Sequence, residues 1–139
     1  MQHRKSGTTF ILRIDRGEEI VSTLKAFCIE QQILFGTVQG IGAVGNAVIG
    51  LFETRTKEYH TTTLSGDFEI ASLLGNITTM GGEPYLHLHA TLTDETFLAY
   101  GGHLTSATVS GTCEIFITVL EGRIDRRFDA DVGLNILEP

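Results

Sequence analysis

The segment PYLHLHATLTDETFLAYGGHL, residues 84–104, predicts two antiparallel strands joined by a short turn. From Pro84 to Thr93, apolar and polar side chains alternate, which is the period of a strand with one buried face. Thr93-Asp94-Glu95 contains residues that favour a tight turn, and Thr96–Leu104 can return as the second strand. Because the strands of a hairpin lie side by side, we expect the two ends of this segment to be neighbours in one sheet.

The rest of the chain favours further strands of β-branched and apolar residues. Short polar or glycine-containing segments separate them, as hairpin connections do. The predicted strands are Thr8–Ile14, Ile33–Val38, Ala43–Glu53, Lys57–Leu64, Asp67–Thr79, Ala107–Leu120 and a short edge strand Leu134–Leu137. Connections of this length favour antiparallel pairing over parallel crossovers.

One segment has a helical period instead. Its apolar residues recur at helical spacing, at Ile20, Val21, Leu24, Phe27 and Cys28. Asp15 or Gly17 is expected to cap this helix, which should end near Gln31 or Gln32. The chain is therefore predicted to be an α+β protein. We expect a largely antiparallel β-sheet, a barrel-like sandwich of about seven or more strands, flanked by one main α-helix.

Length and composition favour a single domain over residues 1–139. With 42% hydrophobic and 19% charged residues, the chain can build one sizeable core. Its apolar runs are far shorter than the roughly 20 residues of a membrane helix, and no apolar signal segment follows the basic start. We expect a cytoplasmic protein that does not bind membranes and whose residues 1–7 form a flexible tail. Cys28 and Cys113 are too far apart for a redox motif and should be buried thiols.

The charge distribution disfavours nucleic acid as a partner. Ten basic and 17 acidic residues give a net charge of −7, which repels polyanions. Near the C-terminus, Arg123, Arg126 and Arg127 alternate with acidic residues. Between Lys57 and Arg123 every charged residue is acidic. Because the histidine-rich segment lies inside this acidic stretch, we expect its surroundings to suit a cation better than a phosphate backbone.

A glycine-rich stretch, Gly40-Ile41-Gly42-Ala43-Val44-Gly45, matches the G-x-G-x-x-G pattern of dinucleotide-binding turns. Such a turn must open a helix whose N-terminal amides hold a pyrophosphate. The residues that follow, 46–52, are rich in β-branched side chains and alternate, so they predict a strand. We therefore expect these glycines to form a bend or bulge between strands.

Three of the five histidines are expected to meet on one face of the hairpin. His87 and His89 are two residues apart, so their side chains share a face of the strand, and the turn brings His103 beside them. Three imidazoles can hold Zn²⁺ or another divalent metal and leave a fourth tetrahedral position for water or a substrate oxygen. The alternatives for these histidines are polar packing and surface exposure.

Two more residues are candidates for catalytic roles beside such a metal. Glu114 lies within an apolar strand, where a carboxylate needs a partner. It is interpreted as an acceptor for a metal-ligating histidine, as a general base, or as a surface residue. Tyr100 is the candidate hydrogen-bond donor near the site.

Four blocks of sequence resemble the PPC domain family, for plants and prokaryotes conserved. They occur in order along the chain, as Gly40–Val44, Gly66–Gly75, Pro84–Ala90 and Gly101–Leu104. With an early Gly-Glu-Glu helix start and a closing Arg-Arg-Phe-Asp segment, the resemblance covers nearly the whole chain. It implies a compact antiparallel sheet flanked by a helix, assembled as a homotrimer. It also implies that His87, His89 and His103 hold zinc, as in prokaryotic members.

The same resemblance implies a regulatory alternative, because the family is also described as having a PD1-like DNA-binding motif. In plant members the domain stands beside AT-hooks, but this chain has no AT-hook. Asp67 also replaces an arginine of the segment that the plant domain uses to contact transcription factors. The preferred function is therefore a metal-binding protein that acts on or senses a small oxygen-bearing ligand. The alternative is a DNA-binding or protein-interaction module with a structural metal or none.

Overall fold

The computed structural model describes all residues from Met1 to Pro139. It contains one helix and eight strands. In chain order these are β1 (Gln2–Ser6), β2 (Thr9–Ile14), α1 (Ile20–Glu30), β3 (Gly36–Glu53), β4 (Glu58–Met80), β5 (Glu83–Thr93), β6 (Ala99–Val119), β7 (Asp125–Asp129) and β8 (Leu134–Glu138). Strands β3, β4 and β6 are long, with 18, 23 and 21 residues.

Four strands pair in a closed ring at the centre of the sheet. β3 pairs with β4 and with β6, β5 pairs with the same two strands, and all four pairings are antiparallel. The β1–β2 hairpin extends the sheet beyond β6, and the β7–β8 hairpin joins β4 through a parallel pairing. All eight strands thus belong to one sheet. The predicted α+β class, with a largely antiparallel sheet and one helix, is confirmed.

The glycine-rich stretch lies inside strand β3 and does not separate two strands. Register shifts between Gly40 and Gly42, and between Val44 and Asn46, mark bulges in the pairing with β4. At Gly42 φ is +153°, and an added Cβ would lie 2.7 Å from the Cα of Cys113. The predicted bulge is therefore confirmed. The predicted strand boundaries here, and those inside β4 and β6, are wrong because a bulge bends a strand without ending it.

Helix α1 packs on the ring and is capped by Glu19, not by Asp15 or Gly17 as predicted. Its buried residues are Ile20, Leu24, Phe27 and Cys28. The Glu19 carboxylate accepts hydrogen bonds from three backbone amides, those of Val21 (2.9 Å), Ser22 (2.6 Å) and Ala107 (3.0 Å). Glu19 is preferred as the cap because its longer side chain reaches β6 as well as the first helical turn.

Residues 2–6 form strand β1, so the expected flexible tail at the N-terminus is wrong. β1 pairs with β2 in a register that runs from Gln2 opposite Arg13 to Ser6 opposite Thr9. The ring of His3 packs edge-on against Phe27, with 5.0 Å between centroids. Every residue of β1 is exposed, so the strand has no apolar alternation that could predict it.

The core contains 25 buried hydrophobic residues, drawn mainly from α1 and strands β2–β6. Both cysteines are free and buried, as expected. Burial raises the pKa of Cys28 to about 12, and burial together with the charge of Glu114 raises that of Cys113 to about 12. Neither thiol is therefore poised as a nucleophile. The only helix is too short to cross a membrane.

Candidate metal centre

The three histidines form a compact cluster on one face of β5 and β6. His89 lies directly opposite His103 in the pairing of these strands, and His87 is two residues before His89 on the same face. The ring centroids are 5.1 Å apart for His87 and His89, 5.3 Å for His87 and His103, and 5.6 Å for His89 and His103. The clustering predicted from alternation and from the hairpin is confirmed, whereas the bound metal stays a prediction.

The cluster has the donor set and spacing for one divalent ion. Ring nitrogens of the three histidines all lie within 4.8 Å of one another. A zinc ion that binds three imidazole nitrogens at about 2.0–2.1 Å places them about 3.3 Å apart, which modest side-chain rotations would reach. Among the histidines of the chain, only His60 makes a side-chain hydrogen bond, to Glu53. The ring nitrogens of the cluster are therefore available as ligands.

Two of the three imidazoles are held in the neutral form that binds metals. Burial, followed by the positive charge of Arg126, lowers the pKa of His87 to about 4, with further contributions from His103 and His89. Burial, followed by the charge of His89, lowers the pKa of His103. At neutral pH these rings need not lose a proton before they bind a metal.

The histidines open into a cavity of about 480 Å³. Beyond His103, β6 leaves β5 and continues along β3, so the edge of β5 from Tyr85 to His89 faces this space. The other lining residues come from β3, β4, β5, β6 and the β7–β8 hairpin, and they are Gly50, Leu51, Phe52, Tyr59, Tyr85, Gly102, Arg126, Leu134 and Asn135. The histidines therefore lie in a concave site and not on an open face of the sheet.

Tyr59 forms one wall of the cavity because residue 50 has no side chain. The Tyr59 ring stands edge-on to His103, with 6.0 Å between centroids. A Cβ at position 50 would lie 2.5 Å from Cε1 of Tyr59. Any larger residue at position 50 would therefore overlap the Tyr59 ring in its present position.

Arg126 is a further functional candidate, which was not predicted from the sequence. Only 8% of its surface is exposed. Its Nε donates to Thr78 Oγ1 (2.8 Å), Nη1 to the Asn135 carbonyl (2.8 Å) and Nη2 to Asn76 Oδ1 (2.9 Å). The guanidinium also lies over the Tyr85 ring, with Cζ 4.9 Å from the centroid. Alternation could have signalled it, because neighbouring arginines in a strand point to opposite faces.

The charged side chain that lines the cavity is basic, which corrects the expected acidic surroundings. Arg126 lines it, and no Asp or Glu does. The acidic residues between Lys57 and Arg123 are mostly exposed on other parts of the surface, among them Asp67, Glu69 and Glu83. Net charge along the sequence does not report local charge here because strand alternation separates neighbouring side chains.

Glu114 and Tyr100 do not join the histidines within the chain. Glu114 is exposed and lines a separate groove with Gln39, Ile41 and Phe116. Tyr100 lies three residues before His103, so the two side chains point to opposite faces of β6. The Tyr100 hydroxyl donates to Asp94 at 3.2 Å. Neither residue lines the histidine cavity. The geometry of one chain therefore gives them no role as base or hydrogen-bond donor at the cluster.

Several solved structures are similar to this chain over nearly its full length. A proposed DNA-binding protein from Bacteroides thetaiotaomicron is 39% identical, with a TM-score of 0.97, and the match covers 99% of this chain and 96% of that one. The metal-containing protein AF0104 from Archaeoglobus fulgidus is 37% identical, with a TM-score of 0.90 and 97% and 96% covered. A plant- and prokaryote-conserved (PPC) protein from Pyrococcus horikoshii is 35% identical, with a TM-score of 0.88 and 96% and 92% covered.

A comparison with curated proteins found no match. The family model of the Plants and Prokaryotes Conserved (PCC) domain matches residues 1–121, which include every histidine of the cluster. The match covers most of the chain, and its residues include the blocks that carried the resemblance. This chain therefore belongs to the Plants and Prokaryotes Conserved domain family.

Proposed function

We propose that this protein is a cytoplasmic metalloprotein in which His87, His89 and His103 bind one zinc ion, and that the ion binds a small oxygen-bearing ligand. The observation that carries the proposal is the convergence of three imidazoles in one cavity, with ring nitrogens within 4.8 Å of one another. A relative of 37% identity is a metal-containing protein, which supports the same conclusion. A three-histidine set is typical of zinc sites that keep a position open for water or substrate.

Bound zinc would supply Lewis acidity and a lowered pKa for bound water. The residues of the chain keep the ligands neutral, cover the cluster and supply a positive charge in the cavity. The lowered pKa values of His87 and His103 keep both rings neutral at physiological pH. Tyr59 covers one side of the cluster, and Arg126 supplies the positive charge that faces a ligand in the cavity.

Metal analysis of protein purified without a histidine tag tests this proposal. We expect about one zinc ion per chain after growth with zinc, and loss of that zinc in a His87→Ala, His89→Ala variant. His60→Ala is the matched control, because His60 is exposed and hydrogen-bonds to Glu53 outside the cluster. Wild-type protein without stoichiometric metal, or a double variant that keeps its zinc, would contradict the proposal.

In this proposal the protein is a homotrimer, as the family resemblance implies. Support comes from a row of residues that lie opposite one another across the strands, Ile11, Phe116, Gln39, Leu74 and His89. Three of these are exposed apolar residues: Ile11 (38%), Phe116 (40%) and Leu74 (58%). A subunit that covers this apolar row would also approach the cluster at His89. Light scattering after size exclusion should give about 46 kDa, three times the 15.2 kDa chain, whereas a monomer mass would contradict the trimer.

A second candidate function is DNA binding, which is favoured by the proposed DNA-binding relative of 39% identity. The charges oppose it, because four of the six exposed arginines pair with carboxylates: Arg13 with Asp15, Arg55 with Glu53, Arg123 with Asp125, and Arg127 with Asp129 and Glu138. A gel shift with mixed DNA at about 50 mM salt separates the two functions, since phosphate contacts are strongest at low salt. The metalloprotein proposal predicts no shift.

A further inference from the structure

We infer that the ligand of the histidine cavity is a small carboxylate whose anionic end is bound by Arg126, while a second oxygen of the ligand faces the cluster. This inference rests on the proposed function, because the second oxygen is assigned to the metal. It adds the chemical class of the ligand and the residue that selects it.

The first observation is the unfinished set of hydrogen bonds around Arg126. A guanidinium has five N–H donors in a rigid fork. Three of them are used by Thr78, Asn135 and Asn76, one on each nitrogen. One N–H therefore remains on each of Nη1 and Nη2. Free N–H groups on Nη1 and Nη2 are charge-assisted donors that a carboxylate can accept.

The second observation is that a buried charge lacks a counterion. Arg126 is buried, with 8% of its surface exposed. None of the ion pairs in the chain includes it. The nearby arginines differ: Arg123 pairs with Asp125 at 2.7 Å and Arg127 with Asp129 at 3.3 Å. Burial of an unpaired charge is unfavourable unless something else neutralises it. Thr78, Asn76 and the Asn135 carbonyl are neutral acceptors, so within the chain the charge is solvated but not neutralised.

The third observation is that Arg126 shares its cavity with the histidines. Arg126 and the three histidines line the same space of about 480 Å³. The guanidinium also contacts the face of the Tyr85 ring, with Cζ 4.9 Å from the ring centroid. An anion between Arg126 and a metal at the cluster would face positive charge on both sides, whereas no carboxylate of the chain competes for the place.

Calorimetry on the zinc-loaded protein tests the inference with matched pairs of probes. Glycolate and 3-hydroxypropionate each carry a carboxylate and a hydroxyl at a different spacing, and glycolamide and 3-hydroxypropionamide are their neutral counterparts. We expect at least one acid to bind about ten- to 100-fold more tightly than its amide, the size of a charge-assisted bidentate contact.

Three variants separate the role of Arg126 from direct binding of the carboxylate to zinc. Arg126→Gln should remove most of the preference for the acid, and Arg126→Lys should keep part of it because lysine retains the charge but not the fork. Arg127→Gln is the matched control, since Arg127 is the next residue of β7 and its side chain is 53% exposed. It should keep the full preference of the wild type.

A measurement on the wild-type protein tests whether Arg126 binds the carboxylate, even if Arg126→Gln fails to fold. In the NMR spectrum of arginine side chains, the acid should shift the Nε–H signal of Arg126 and slow exchange of its Nη protons, and the amide should not. Equal binding of acid and amide, an unchanged preference in Arg126→Gln, or an unperturbed Arg126 signal in zinc-loaded protein would each overturn the inference. Absence of zinc from wild-type protein would instead overturn the proposed function, so the two failures are distinguishable.

Discussion

His89 and His103 lie directly opposite each other on antiparallel strands, with their ring centroids 5.6 Å apart, at the last pairing of β5 with β6. Beyond this point the two strands separate and the cavity begins. The paired backbones fix the spacing of these two rings, and the period of β5 adds His87 on the same face. The cluster is thus held by rigid strands, which suits a preorganised metal site.

The packing of Gly50 against Tyr59 predicts a non-additive pair of substitutions. Gly50→Ala should lower the free energy of unfolding by about 1–3 kcal/mol, because the new methyl group overlaps the Tyr59 ring. In a Tyr59→Ala background, Gly50→Ala should cost much less, since the ring is gone. Urea denaturation of the four proteins checks this. An equal cost of Gly50→Ala in both backgrounds would show that Tyr59 is not the obstacle.

The lowered pKa of His87 predicts that the metal-free protein loses stability on acidification. The folded pKa is about 4, below the unfolded value of 6.5, so the unfolded state binds more protons between these values. The free energy of unfolding should therefore fall from pH 6.5 to pH 4, by on the order of 2 kcal/mol from this residue. His87→Gln should remove that part of the pH dependence. Urea midpoints at several pH values, with chelator present, would contradict this if both proteins had the same slope.

The Glu19 carboxylate joins helix α1 to β6, so its removal should destabilise the whole fold. Glu19→Ala leaves three amides without their acceptor and should lower the free energy of unfolding by about 1–3 kcal/mol. Glu30→Ala is the control at the other end of the helix, where the side chain is exposed, and should cost about 0.5 kcal/mol or less. Thermal and urea unfolding measure both. Equal costs would show that the cap contributes no more than an ordinary surface residue.

The apolar row predicts which single substitution should break the trimer. Leu74 is 58% exposed and lies between Gln39 and His89 in that row. A charge in a buried subunit interface is strongly unfavourable, so Leu74→Asp should lower the mass from about 46 kDa to that of the 15.2 kDa chain. Val132→Asp is the control, because Val132 is a 40% exposed residue outside the row. Light scattering that finds the trimer intact in Leu74→Asp would exclude this face as the interface.

Local patterns of residues predict the histidine cluster better than they predict its surroundings. His87 and His89 follow from alternation, and the turn at Asp94 brings His103 into place. Alternation places Arg126 and Arg127 on opposite faces but does not show which of them is buried, because β7 carries mostly charged residues and the Arg126 partners Thr78 and Asn76 lie in β4, far away in sequence. The orientation of Glu114 depends on the bulges that precede it in β6, which no local pattern locates. Pairing partners and bulges are long-range properties of the sheet.

Zinc-edge anomalous diffraction tests directly whether the three histidines bind zinc. Crystals of untagged protein grown with zinc should be measured above and below the zinc absorption edge. We expect one strong difference peak per chain, about 2.0–2.1 Å from a ring nitrogen of each of His87, His89 and His103, with a fourth position open to the cavity. A zinc-supplemented crystal with no peak between these rings, or with its zinc at other residues, would contradict it.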